Sequence, residues 1–134
     1  MKMKFVLVAV ASIGWIAATG PAPAHHAFAA IYDSEQPVTL TGVVTNVEWL
    51  NPHAHFYVDV ENEDGVVQNW DFELASPNGL MRLGWRRDSL KTGDEITVEG
   101  ISARDGSRRA NTRAVITADG RRMFSGDSAR GGLQ

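Results

Sequence analysis

The sequence predicts a small all-β domain with one short helix, and three observations lead there. Pro37 to Leu50 (PVTLTGVVTNVEWL) reads as one long strand, yet its apolar positions Val38, Leu40, Val44, Val47 and Trp49 slip phase around Gly42 and Asn46, as a strand does at a bulge or sharp bend. His53 to Val60 alternates strictly, with Ala54, Phe56, Val58 and Val60 on one side and His53, His55, Tyr57 and Asp59 on the other. Ser76-Pro77 joins a good N-cap residue to a proline that suits the first helical turn, so a helix interrupts the strands. A bent first strand and a helix between strands three and four match a five-stranded Greek-key barrel of the OB type; a β-sandwich or a meander with one helix would use the same elements.

Residues 1–24 have the pattern of a cleavable secretory signal. Lys2 and Lys4 supply the positive start, Phe5 to Ala18 the apolar stretch, Gly20-Pro21 its break and Ala22-Pro23-Ala24 the cleavage motif. The apolar stretch is shorter than the roughly 20 residues a membrane span needs. Cleavage after Ala24 leaves His25 as the first residue, with a free α-amine. A second possible cut after Ala29 would discard His25 and His26. Residues 25–36 form an N-terminal arm, helical or extended, whose Phe28, Ile31 and Tyr32 offer an apolar edge. The barrel then occupies residues 37–124.

Asn51-Pro52 makes the turn into the second strand, because proline lacks the N–H a ladder needs. Glu61 to Gly65, ending in Asp-Gly, is a hairpin signal, and Val66 to Leu74 returns with Trp70, Phe72 and Leu74 toward the core. In the helix opened by Ser76-Pro77, Leu80, Met81 and Leu83 form the apolar side and Gly84 ends it. Glu95 to Ile101 is the fourth strand, with Ile96 and Val98 inward, and Ala103 to Ala110 is an arginine-rich loop. Asn111 to Thr117 is the fifth strand, and Arg121 to Phe124 pairs back as a short edge after the Asp119-Gly120 turn. Residues 125–134 read as a frayed polar tail.

The run His25-His26-Ala27-Phe28, Tyr32-Asp33, Val38 to Gly42, Val47-Glu48-Trp49 and Asn51-Pro52-His53 resembles a family of small exported bacterial proteins, family 6152 of the domains of unknown function. Ser76-Pro77-Asn78-Gly79-Leu80, Gly84-Trp85 and Leu90-Lys91-Thr92-Gly93-Asp94 carry the same resemblance, which spans His25 to Phe124. It implies a single periplasmic or secreted domain and brings no established activity. It also implies that the position of His55 is often aromatic in relatives, which makes His53 the firmer of the two histidines.

Composition narrows the function. Losing Lys2 and Lys4 with the leader leaves 11 of the 13 basic residues against 16 acidic ones, a formal charge of −5, which disfavours nucleic acid. There is no cysteine, so no disulfide and no thiol chemistry. No G-x-S-x-G, P-loop or G-x-G-x-x-G occurs, and Glu48, Asp59 and Asp71 form no recognisable acid–base pair. The expectation is therefore a binding protein rather than an enzyme, with catalysis conceivable only through a metal.

The histidines carry the specific hypothesis. There are only four: His25 and His26 at the predicted new N-terminus, and His53 and His55 on one strand face, roughly 6.5–7 Å apart along the strand. An N-terminal histidine offers both its amine and its imidazole to a metal, and a second histidine completes a three-nitrogen brace suited to Cu(II), and also to zinc or nickel. The candidate metal ligands are His25 and His53, with His26 and His55 as alternates, and copper is the expected cofactor. Trp49, Asn51, Tyr57 and Asp59 are candidate ligand-binding neighbours, Asp59 as an outer oxygen partner. The competing assignment makes all four histidines structural, Trp49, Trp70 and Trp85 core or rim residues, and Arg104, Arg108, Arg109, Arg113, Arg121 and Arg122 a solvated face. Such a protein would serve as a copper carrier, buffer or partner subunit of a redox enzyme, or as a metal-independent module for a small ligand or a periplasmic protein. No membrane segment is expected once the leader is removed.

Overall fold

The computed structural model describes the backbone from Ala22 to Gly126 and side chains from Ala27 onward. In chain order come α1 (Ala22–Ile31), β1 (Tyr32–Glu48), β2 (His55–Glu61), β3 (Val67–Glu73), α2 (Pro77–Arg82), β4 (Glu95–Ala103), β5 (Arg109–Thr117) and β6 (Arg122–Phe124). The strands form one sheet in the order β3-β2-β1-β4-β5-β6, and β3 also pairs with β5. That extra pairing is parallel, Asp71 to Glu73 against Arg109 to Asn111, while the others are antiparallel. The sheet thereby closes into a barrel-like ring, β1-β2-β3-β5-β4, in the OB-like order expected of the sequence.

Departures from regular pairing bend the ring. The β1–β2 register shifts between Val44 and Asn46, where the apolar phase slips. The β4–β5 register shifts between Glu99 and Gly100. Glycines permit the close approaches: a Cβ on Gly42 would lie 2.1 Å from the Asp59 carbonyl oxygen, and one on Gly100 2.4 Å from that of Asn111. Strands coiled this tightly leave no room there for a side chain.

The interior follows the alternation. Ala54, Phe56, Val58 and Val60 of the second strand face Phe72 and Leu74, Val44, Ile96, Val98 and Val115, and all are buried. Phe56 and Phe72 stack at 5.2 Å. Each large side chain so buried stabilises by roughly 1.5–3 kcal/mol, and a slip of one residue would turn His55 and Asp71 inward instead, so register is strongly enforced.

α2 plugs one side as its sequence suggests. Ser76 Oγ accepts from the Gly79 N–H at 3.2 Å, and Pro77 and Leu80 are buried. Met81 and Leu83, expected on its apolar side, are exposed, because so short a helix turns only the Pro77–Leu80 side to the core. Trp85, just after it, is buried and donates its indole N–H to the Phe124 carbonyl at 2.9 Å.

Several boundaries differ from the sequence reading. β1 starts at Tyr32 rather than Pro37, because Tyr32 pairs with Ala103 before an irregular stretch to Pro37. The polar run Asp33 to Gln36 hides this early start. The β4–β5 loop is shorter than expected, since Ala103 and Ala110 are buried strand residues. Ser125, assigned to the frayed tail, is buried: its N–H donates to the Arg113 carbonyl at 3.0 Å, and its hydroxyl accepts from the Ala75 N–H at 3.4 Å. Trp70 is only half-buried, against the core edge and 6.1 Å from the Phe72 ring. Residues 1–21 of the expected leader (1–24) and residues 127–134 of the expected tail (125–134) lie outside the described residues. Among the described residues no helix is long and apolar enough to cross a membrane.

Candidate histidine–carboxylate site

The outer face of β2 and β3 carries the polar residues that alternate with the core. Its register is set by the hairpin: Asn62 Oδ1 accepts from the N–H groups of Asp64 and Val66, and Gly65 takes the positive φ of 77° that closes the turn. Pairing then runs from Glu61–Val67 to His55–Glu73, with Tyr57 opposite Asp71. Backbone bonds from Ala54 N–H to Ala75 and from Leu74 N–H to Ala54 carry the alignment past the strand end. His53 is thus held in line with His55.

Each histidine leans diagonally onto a β3 carboxylate. His53 Nδ1 lies 2.5 Å from Glu73 Oε1, and His55 Nδ1 lies 2.7 Å from Asp71 Oδ1. With Nδ1–H donated to a carboxylate, the neutral ring keeps its lone pair on Nε2, the tautomer a metal ligand needs. The Asp71 hydrogen bond raises the His55 pKa, against the opposing pull of burial.

Glu73 is the hub. It is 6 % exposed. Its Oε1 bonds His53, while Oε2 accepts from the Tyr32 hydroxyl and from Arg109 Nη2 at 3.1 Å. Three donors, one of them the Arg109 guanidinium, thus replace water around this buried carboxylate. Burial and then Glu73 itself push the Tyr32 phenol well above its ordinary value, so Tyr32 remains a donor. Arg109 reaches the site through the parallel β3–β5 pairing. Its Nε stands 3.7 Å from Asp71 Oδ2, an ion pair without a hydrogen bond, and its guanidinium sits 5.8 Å over the Tyr32 ring.

The other candidates are spread around this centre. Tyr57 donates to Glu48 Oε2 at 3.3 Å, and its phenol is raised by burial and by the Asp71 and Glu48 carboxylates. Asp59 is at the far end of the face, where it accepts from Asn69 at 2.8 Å, and Asn69 also donates to Thr45. Trp49 is half-buried against the core. Asn51 is exposed and joined to Pro52 by a cis peptide bond. His25 and His26 stand on the α1 backbone, and their side chains lie outside what the structure describes. Among the described residues no group of three or more His, Cys, Asp or Glu is placed to hold a metal. His53 and His55 offer two Nε2 nitrogens, and further ligands would have to come from outside that set.

α1 docks beside the hub. Phe28 lies 5.2 Å from the Tyr32 ring, and Tyr32 packs with Ile101 and Ala103 in a second small core. Arg104 binds the last turn, its backbone N–H to the Ile31 carbonyl at 2.8 Å and its Nε–H to the Ala29 carbonyl at 3.2 Å. Asp71, Glu73, Tyr32 and Arg109 were not among the candidates read from the sequence. Asp71 and Glu73 were within reach, since they alternate with Trp70 and Phe72 and face the histidines across a hairpin; Tyr32 and Arg109 arrive by long-range closure of the ring and leave no local signal.

Folds of this type bind ligands on the face of strands two and three, between the β1–β2 and β4–β5 loops. Here those loops carry His53 on one side and lead into Arg109 on the other. The analogy speaks to position and not to chemistry. A comparison with curated proteins finds no match. The model of a family of unknown function, DUF6152, matches residues 13–112, which cover α1, the histidine–carboxylate face and the start of β5, and the chain belongs to that family.

Proposed function

We propose that this protein is an exported binding protein that holds a divalent transition metal, copper first, on the His53–His55 face. The observation that carries the reading is the paired setting of the two imidazoles: each has its Nδ1 on a carboxylate, which leaves the lone pair of the neutral ring on Nε2. Buried Glu73 and half-buried Asp71 are the outer partners that raise ligand basicity and fix ring orientation. Imidazole nitrogens suit copper, zinc and nickel, and copper(II) binds most tightly in that series. His25, freed by cleavage after Ala24, adds its amine and imidazole as the remaining ligands, with His26 as an alternate. A bound metal would supply a redox-active or Lewis-acidic centre; the chain's own residues orient the imidazoles, neutralise the buried carboxylate through Arg109 and keep Tyr32 protonated. The protein then acts as a carrier, a buffer or a subunit delivering copper to a redox partner.

Thermal unfolding with and without Cu(II) tests this. A ligand that binds only the folded state raises the melting temperature by mass action, by about 2.7 kcal/mol of stability at a hundredfold excess over Kd. The wild type should show that rise, and His53→Ala and His55→Ala should each lose most of it. Equal shifts in all three proteins, or none in the wild type, would leave a metal-independent binding module as the better account.

A further inference from the structure

Two parts of the chain hold opposite oxygens of one buried carboxylate. His53 takes Glu73 Oε1, and the Tyr32 hydroxyl takes Oε2. Tyr32 directly follows α1 with no linker between them. Its ring packs on Phe28, and the helix end is fastened by Arg104 through the Ile31 and Ala29 carbonyls. Arg109 closes the arrangement, bonding Oε2 and lying over the Tyr32 ring. Glu73 has little solvent to fall back on, so any turn of the carboxylate that lengthens one bond is felt by the other two.

We propose that Glu73 couples the docking of α1 to the setting of His53. A docked helix holds Tyr32 on Oε2, fixes the carboxylate plane and so pre-orients the His53 ring. A ligand on His53 Nε2 immobilises that ring, fixes the same carboxylate and tightens the helix in return, since coupling between two sites is reciprocal. Tyr32 and Glu73 are positioning residues in this arrangement, and neither touches the ligand. The part concerning a ligand rests on the reading that His53 carries one; the coupling itself is a property of the metal-free chain.

The test is a double-mutant cycle read by amide exchange in the metal-free processed protein. The reporters are the amides of Ala29 to Ile31 and of Arg104, whose N–H bonds the Ile31 carbonyl. Val98 in the central strand β4 reports global opening. Tyr32→Phe keeps the ring and removes the hydroxyl, and His53→Ala removes the opposite partner. Each should speed exchange at the reporters by roughly five- to tenfold, about one net hydrogen bond's worth, and at Val98 by no more than that factor. The double variant should fall short of the product of the two, because both act through one carboxylate. Reporter exchange that His53→Ala leaves unchanged, or effects that simply multiply, would overturn the coupling. Failure of Cu(II) to bind the wild type would overturn the functional reading instead, and the metal-free cycle would still decide the coupling.

Discussion

His55 and Asp71 make the simplest statement about single residues. Hydrogen bonding to Asp71 raises the histidine's pKa above its ordinary value, with burial acting in the opposite direction. A group whose folded pKa is raised contributes stability that is fully present below its unfolded value, near pH 6.5, and lost as pH rises through the folded value. In the metal-free protein, Asp71→Asn should therefore cost more stability at pH 5.5 than at pH 8. The His55 midpoint followed by NMR should move down in that variant. A stability difference independent of pH would mean that the pair does not exist in solution. Much of this pair was legible in the sequence. The alternation of Ala54 to Val60 put His55 outward, and the Asp-Gly turn placed β3 opposite. Its carboxylate was passed over because a lone Asp71 between Trp70 and Phe72 looks like any exposed strand residue until the hairpin register is known.

At the scale of elements, β1 decides the shape. It is the longest strand, it pairs with both β2 and β4, and the bulge between Val44 and Asn46 lets it serve both. Gly42 lies just before the bulge with Asp59 pressed against its α-carbon. Gly42→Ala should destabilise the domain by about 1–3 kcal/mol, the cost of overpacking a site where backbone must shift, and denaturant unfolding would measure it. A loss below about 0.5 kcal/mol would show that the strands part there easily. The bend was readable from the slipped apolar phase, and the helix from Ser76-Pro77. The beginning of β1 was not, because Asp33-Ser34-Glu35-Gln36 has no alternation; what holds Tyr32 in the sheet is its pairing with Ala103 and its packing on Ile101, both about 70 residues away in the chain.

Across the whole molecule, closure of the ring assembles the site. β1 brings Tyr32, the β1–β2 loop His53, β2 His55, β3 the carboxylates and β5 Arg109, and the parallel contact of β3 with β5 is the step that makes them neighbours. A parallel pairing between strands separated by a helix and another strand has no local sequence signature, which is why Arg109 read as one of a solvated group of arginines. The proposed copper site is this face completed by the N-terminal histidine. The most direct measurement is EPR of one equivalent of Cu(II) added to the processed protein beginning at His25, beside a matched protein with one extra residue before His25 and beside His53→Ala. The account predicts a single nitrogen-rich Cu(II) signal in the processed protein. Affinity should fall in both controls by more than the roughly 10- to 100-fold that loss of an outer partner costs. Weak binding with the same spectrum in all three proteins would contradict it.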